Sequence, residues 1–113
     1  MKIRACERYE LDRKVVKPVE LAPGADGKPR EGLVLLGDDG TPRAYLNRCR
    51  HLPVPIDGGS RDFLTEDGLY LLCNTHGALY HRDDGMCVSG PCEDQALEAL
   101  ALSEEDGVLY IED

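Results

Sequence analysis

Short apolar runs punctuated by Asp-Gly pairs set the pattern of this chain. The runs are "GLVLL" at 32–36, "AYL" at 44–46, "LYLLC" at 69–73, "ALY" at 78–80 and "VLYI" at 108–111. All are of strand length and too short for free-standing helices. Asp-Gly occurs at Asp26-Gly27, Asp39-Gly40, Asp57-Gly58, Asp67-Gly68, Asp84-Gly85 and Asp106-Gly107. Glycine takes positive φ freely and Asp tolerates it, so the pair suits tight turns. Strands at this spacing predict an all-β fold, an antiparallel sandwich or barrel. "APGADGKPREG" at 22–32 reads as a polar loop between strands, and "CRHLPVPIDGGSRDF" at 49–63 as a loop rich in turn residues. Two stretches, "ACERYELDRKVV" and "EDQALEALALSEED", have room for a short helical turn each. In the second, Leu97, Leu100 and Leu102 fit helix and strand spacing about equally.

Length narrows the picture to a single domain over residues 1–113, large enough to bury a core without staples. No apolar run approaches the roughly 20 residues of a membrane span. The start, "MKIRACERYE", lacks the apolar core of a signal peptide, so the expected location is the cytoplasm. There, cysteines are metal ligands or thiols more often than disulfides. Charge adds a further constraint. Asp and Glu number 22 against 13 Lys and Arg, a formal net charge of −9. That argues against nucleic acid and against an anionic membrane surface as partners. It serves solubility, and it suits a protein partner with a basic docking face.

The chemistry lies in two Cys/His pairs. Cys49 and His51 stand in "NRCRHLPVP", and Cys73 and His76 in "CNTHGALY", in a chain with five Cys and three His. Each pair sits where a strand runs into a loop, so the loops could present ligands towards each other. Gly77 follows His76 and would let the backbone pass close to a bulky centre. Zinc accepts a Cys₂His₂ set in a tetrahedral structural site, but zinc fingers usually place the Cys pair first and the His pair second. A two-iron, two-sulfide centre suits mixed loops better, with two Cys on one iron and two His on the other. Two ferric ions, two sulfides and two thiolates sum to zero charge, whereas four thiolates would leave the centre anionic. An added electron costs less on the neutral centre.

With these residues in place, the chain resembles the Rieske [2Fe-2S] family, and within it the small stand-alone Rieske-type ferredoxins. The resemblance rests on "CRH" (Cys49, His51), "CNTHGALY" (Cys73, His76, Gly77, Tyr80) and "DDGMCVSGP" (Gly85, Gly90, Pro91). It implies stacked antiparallel sheets with a small cluster-binding subdomain at one tip, at about 47–92. It also implies one [2Fe-2S] cluster per chain, held by Cys49, His51, Cys73 and His76. Gly77, Ala78, Tyr80, Gly90 and Pro91 would surround it, and Leu52 and Pro53 would sit on the docking face. The implied function is one-electron carriage from a reductase to an oxygenase or other redox partner, with no catalysis of its own. Two alternatives stay open: a cluster-bearing small subunit of a reductase or oxygenase complex, and a zinc-stabilised binding module. An oxygenase catalytic subunit would need a further domain with a 2-His-1-carboxylate site.

Three departures from the family pattern stand out. The spacer between His51 and Cys73, residues 52–72, is long, and "SRDFLTEDG" reads as an extra hairpin. Respiratory members carry a disulfide between their two ligand loops, at positions that here hold Val54 and Thr75. The usual Pro after the second-loop Cys is Asn74, which reads as a minor change. High-potential members also carry a Ser where this chain has Ala78, so a potential in the lower part of the Rieske range follows. Tyr80 would work in the opposite sense if its hydroxyl reached a ligand sulfur. Cys87 and Cys92 read as thiols near the cluster loop, with a disulfide or a metal pair as alternatives. Cys6 reads as a buried strand residue and His81 as exposed.

Overall fold

The structure is a computed structural model that describes residues 2–49, 54–74, 77–90 and 94–113. Within these lie nine strands: β1 (Lys2–Glu7), β2 (Lys17–Leu21), β3 (Arg30–Leu36), β4 (Pro42–Leu46), β5 (Tyr70–Leu72), β6 (Leu79–His81), β7 (Cys87–Ser89), β8 (Ala101–Glu105) and β9 (Val108–Glu112). They form three antiparallel sheets, ordered β1-β9-β8, β2-β3-β4 and β5-β6-β7. The all-β expectation holds. The one helical element among the described residues is a 3-10 turn, Arg8–Glu10, inside the first stretch with room for one.

Strand periodicity explains how the sheets stack. Alternate side chains of a strand point to opposite faces. On β3, Leu33 and Leu35 enter one core while Val34 enters the other; on β4, Tyr45 joins the first, and Ala44 and Leu46 the second. The β2-β3-β4 sheet is therefore the middle layer, buried on both faces, which is why "GLVLL" is apolar without alternation. One core holds Cys6, Leu109 and Ile111 from the β1-β9-β8 sheet. The other holds Leu71, Tyr80 and Cys87, one row of cross-strand neighbours on the β5-β6-β7 sheet, together with Cys49 and Cys73.

All six Asp-Gly pairs place their glycine at positive φ. In the β8–β9 connection both Asp106 (52°) and Gly107 (78°) do so, the requirement of a two-residue hairpin turn of this hand. The second stretch with room for a helical turn takes none among its described residues. Leu46 N–H donates to Glu98 O and Leu100 N–H to Ala44 O, while Cys87 N–H donates to Gln95 O. Residues 95–100 thus stitch β4 to β7, and 101–105 form β8. Unmet edge hydrogen bonds on two sheets outweigh the weak local preference for helix.

At the far end of the cluster-side core, Arg82 is fully buried. Its Nε donates to Leu36 O and one terminal nitrogen to Gly68 O, while Tyr45 Oη donates to Arg82 O at 2.7 Å. Burial lowers the Arg82 pKa and pushes the Tyr45 hydroxyl up to about 12.

Candidate metal centre

Cys49 follows the end of β4 and Cys73 follows β5, so each strand delivers its thiol to the same end of the cluster-side core. Both are buried, at 2% and 0% exposure. The loops that begin at these cysteines close in the same way. Cys49 N–H donates to Val54 O at 2.8 Å, and Cys73 N–H donates to Ala78 O at 2.8 Å. Each loop is therefore a six-residue knuckle with a cysteine at its base. A further bond, Gly77 N–H to Cys73 O, tightens the second. Gly77 has φ of 74°, and a Cβ there would meet nothing within 4 Å, so backbone conformation rather than space calls for glycine.

A third segment closes over these two. Gly90 has φ of 107°, and a Cβ on it would lie 2.8 Å from Ala78 Cα. Here space itself excludes a side chain, because the backbone after β7 runs directly onto Ala78, which is fully buried. From β6, Tyr80 reaches up from the core with no exposure, and its hydroxyl lies 3.4 Å from Cys49 Sγ. The expected contact between this phenol and a ligand-loop sulfur is present. Ala78 occupies the place where a hydroxyl would be a further donor and offers none.

Of the residues singled out from sequence, Cys49, Cys73, Gly77, Ala78, Tyr80 and Gly90 come together here. His51, His76, Leu52, Pro53, Pro91, Thr75 and Cys92 lie outside the described residues. Cys87 is buried on β7 with its thiol 3.3 Å from Ser89 O. Cys6 is a buried residue of β1, as expected, and burial raises its thiol pKa. His81 is a correction: it is half-buried, its ring 5.7 Å from that of Tyr70, its cross-strand neighbour. The extra hairpin is present in reduced form, with Thr65 N–H donating to Tyr70 O and a bridge between Leu64 and Leu71.

Sequence reading missed a polar group behind the two knuckles. Asn47 and Asp57 are buried. Ile56 N–H donates to Asn47 Oδ1 at 2.8 Å, and Asp57 Oδ2 accepts from Arg61 N–H and pairs with Arg61 Nε at 3.1 Å. Arg61 in turn pairs with Glu31 on β3. The signal in the sequence was the departure at Asn74, whose side chain turns out to meet this group.

The donor set suits an iron–sulfur centre. Two thiols stand at the bases of matched knuckles, shielded from water, with a hydroxyl donor at one sulfur and glycines where the backbone must pass closely. Among the described residues no other group of three or more His, Cys, Asp or Glu side chains could hold a metal ion.

Comparison with known proteins agrees with this geometry. A chain in the complex of reduced oxygenase and oxidized ferredoxin in carbazole 1,9a-dioxygenase matches with a TM-score of 0.72 at 20% identity, over 97% of this chain and 100% of that one. The Sphingomonas yanoikuyae B1 ferredoxin matches with a TM-score of 0.67 at 22% identity, over 100% and 99%. The terminal oxygenase of carbazole 1,9a-dioxygenase from Novosphingobium sp. KA1 matches with a TM-score of 0.68 at 22% identity, over 97% of this chain but 29% of that one. This chain thus spans the whole length of the ferredoxins and less than a third of the oxygenase. At these identities the likeness speaks for the fold. No curated protein matches the sequence. The model of the Rieske [2Fe-2S] domain, however, matches residues 2–104, nearly the whole chain. The paired knuckles, their buried thiols and this match together have one reading: the chain belongs to the Rieske [2Fe-2S] domain family.

Proposed function

We propose that this protein is a one-electron carrier of the Rieske ferredoxin type, taking electrons from a reductase and passing them to an oxygenase or another redox protein. The observation that carries the reading is the pair of matched knuckles. They put Cys49 and Cys73 side by side in one buried core, with the Tyr80 hydroxyl at the Cys49 sulfur. Cys49 and Cys73 would hold one iron, and His51 and His76 the other. When bound, the cluster supplies reversible one-electron chemistry.

The chain's own residues set the conditions for that chemistry. Burial of both sulfurs keeps water from them and lowers the local dielectric, which strengthens every charge interaction there. The Tyr80 hydroxyl donates to the Cys49 thiolate and favours added negative charge on it. Leu52 and Pro53 would form an apolar docking face beside the two histidines. The charge of −9 would draw in a partner with a basic docking face. We read residues 1–113 as one domain, with the segment at about 47–92 as its cluster-binding part, and the protein as cytoplasmic and without a nucleic-acid partner. No helix among the described residues is long and apolar enough to cross a membrane.

Chemical analysis of protein made with adequate iron tests the reading. It should hold two irons and two acid-labile sulfides per chain and pass an electron to a partner oxygenase. One zinc and no sulfide would overturn it. Stable co-purification with a catalytic subunit would instead favour a small subunit of a larger complex.

A further inference from the structure

The polar group behind the knuckles links the two cysteine loops through a single residue. Ile56 is fully buried, and both edges of its backbone are engaged. Its N–H donates to Asn47 Oδ1 at 2.8 Å, two residues before Cys49. Its carbonyl accepts from Asn74 N–H at 2.8 Å, one residue after Cys73. Asn74 then reaches further with its side chain. Its Nδ2 donates to Asp62 O at 2.7 Å and lies 3.3 Å from Ser60 Oγ and 3.4 Å from Asp57 O. These acceptors belong to the long spacer, and the spacer is braced by the Asp57–Arg61–Glu31 ion pairs.

We propose that Asn47, Ile56 and Asn74 form a non-covalent clamp that fixes the separation of Cys49 and Cys73, with Asn74 as its principal positioning residue. The inference rests on the reading that these cysteines hold the cluster. The argument is one of hydrogen-bond accounting. A proline at 74 would have no N–H for the Ile56 carbonyl and no amide for the spacer. Asparagine supplies both, and the spacer supplies acceptors at the right places. The two departures of this sequence, a longer spacer and Asn74, are therefore halves of one device. Because the bonds are shielded from water, each is costly to break.

The test compares cluster release from the native protein, Asn74→Asp, Asn74→Pro and Asp62→Ala, followed by loss of visible absorbance with an iron chelator present. Visible circular dichroism reports the disposition of the ligands, and far-ultraviolet circular dichroism reports the sheets. Asn74→Asp keeps size but replaces the donor with an acceptor that faces carbonyls. It should release the cluster about tenfold faster and change the visible spectrum while the sheets stay intact. Asn74→Pro should be faster still. Asp62→Ala should behave as native, since its backbone carbonyl is the acceptor. Release within twofold of native for Asn74→Asp, in protein that carries a full cluster, overturns the clamp even if Asn74→Pro fails to fold. A native protein that binds no iron overturns the proposed function, and the clamp with it.

Discussion

Replacing Tyr80 with Phe removes one oxygen from a fully buried ring and nothing else. The lost atom is the hydroxyl 3.4 Å from Cys49 Sγ. An added electron places more negative charge on that sulfur, so the O–H···S bond is stronger after reduction than before. Removing it disfavours the reduced form, and the midpoint potential falls. A hydrogen bond to a charged group contributes about 1.5–3 kcal/mol, and only the difference between the two redox states counts. The acceptor is a large sulfur at the longer end of hydrogen-bond range, so that difference is about 1–1.5 kcal/mol. At about 59 mV per tenfold change in a one-electron equilibrium, the shift is about −45 to −65 mV. Protein-film voltammetry at neutral pH on native and Tyr80→Phe protein reads it directly. The fold should survive, because Phe fills the same space and the vacated volume is smaller than a water. A shift of less than about 15 mV, or one upward, in protein with full iron and sulfide would refute the reasoning.

Other expectations follow from the same geometry. Ala78→Ser adds a donor at a fully buried place and should raise the potential; the native value should itself fall below about +150 mV by voltammetry, in the lower part of the Rieske range. Gly90→Ala forces a Cβ to 2.8 Å from Ala78 Cα at a φ of 107°, and should cost at least about 2 kcal/mol in chemical denaturation and speed cluster loss. Reduction by the partner should slow by about tenfold or more between low and physiological ionic strength, where the screening length is about 8 Å; a flat profile in stopped-flow traces would leave the acidity as a solubility feature. His76→Cys adds a thiolate, and should either lose the cluster or lower its potential in the same voltammetry.

Local chemistry was readable directly from the chain. Glycine's freedom at positive φ depends on nothing beyond the residue, so six Asp-Gly pairs announced six turns, and "GLVLL" announced a strand buried on both faces. The Cys/His spacings in "NRCRHLPVP" and "CNTHGALY" likewise carried the cofactor class, because ligand identity and charge set what such a centre can be. The pairing of distant segments was not readable. Leu97, Leu100 and Leu102 fit two periodicities, and only the open edges of β4 and β7 decided between them. His81 looked like a surface residue until Tyr70 came to lie across from it. Most of all, Asn74 was one polar residue among many. Its value depends on Ile56, Ser60 and Asp62 arriving within 3.5 Å, and a hydrogen bond between residues far apart in sequence leaves no local pattern. The sequence by itself thus determined the strands, the turns and the kind of cofactor. Tertiary structure decided what brings the two cysteines to one place and keeps them there, because that depends on burial and on partners that only folding brings together.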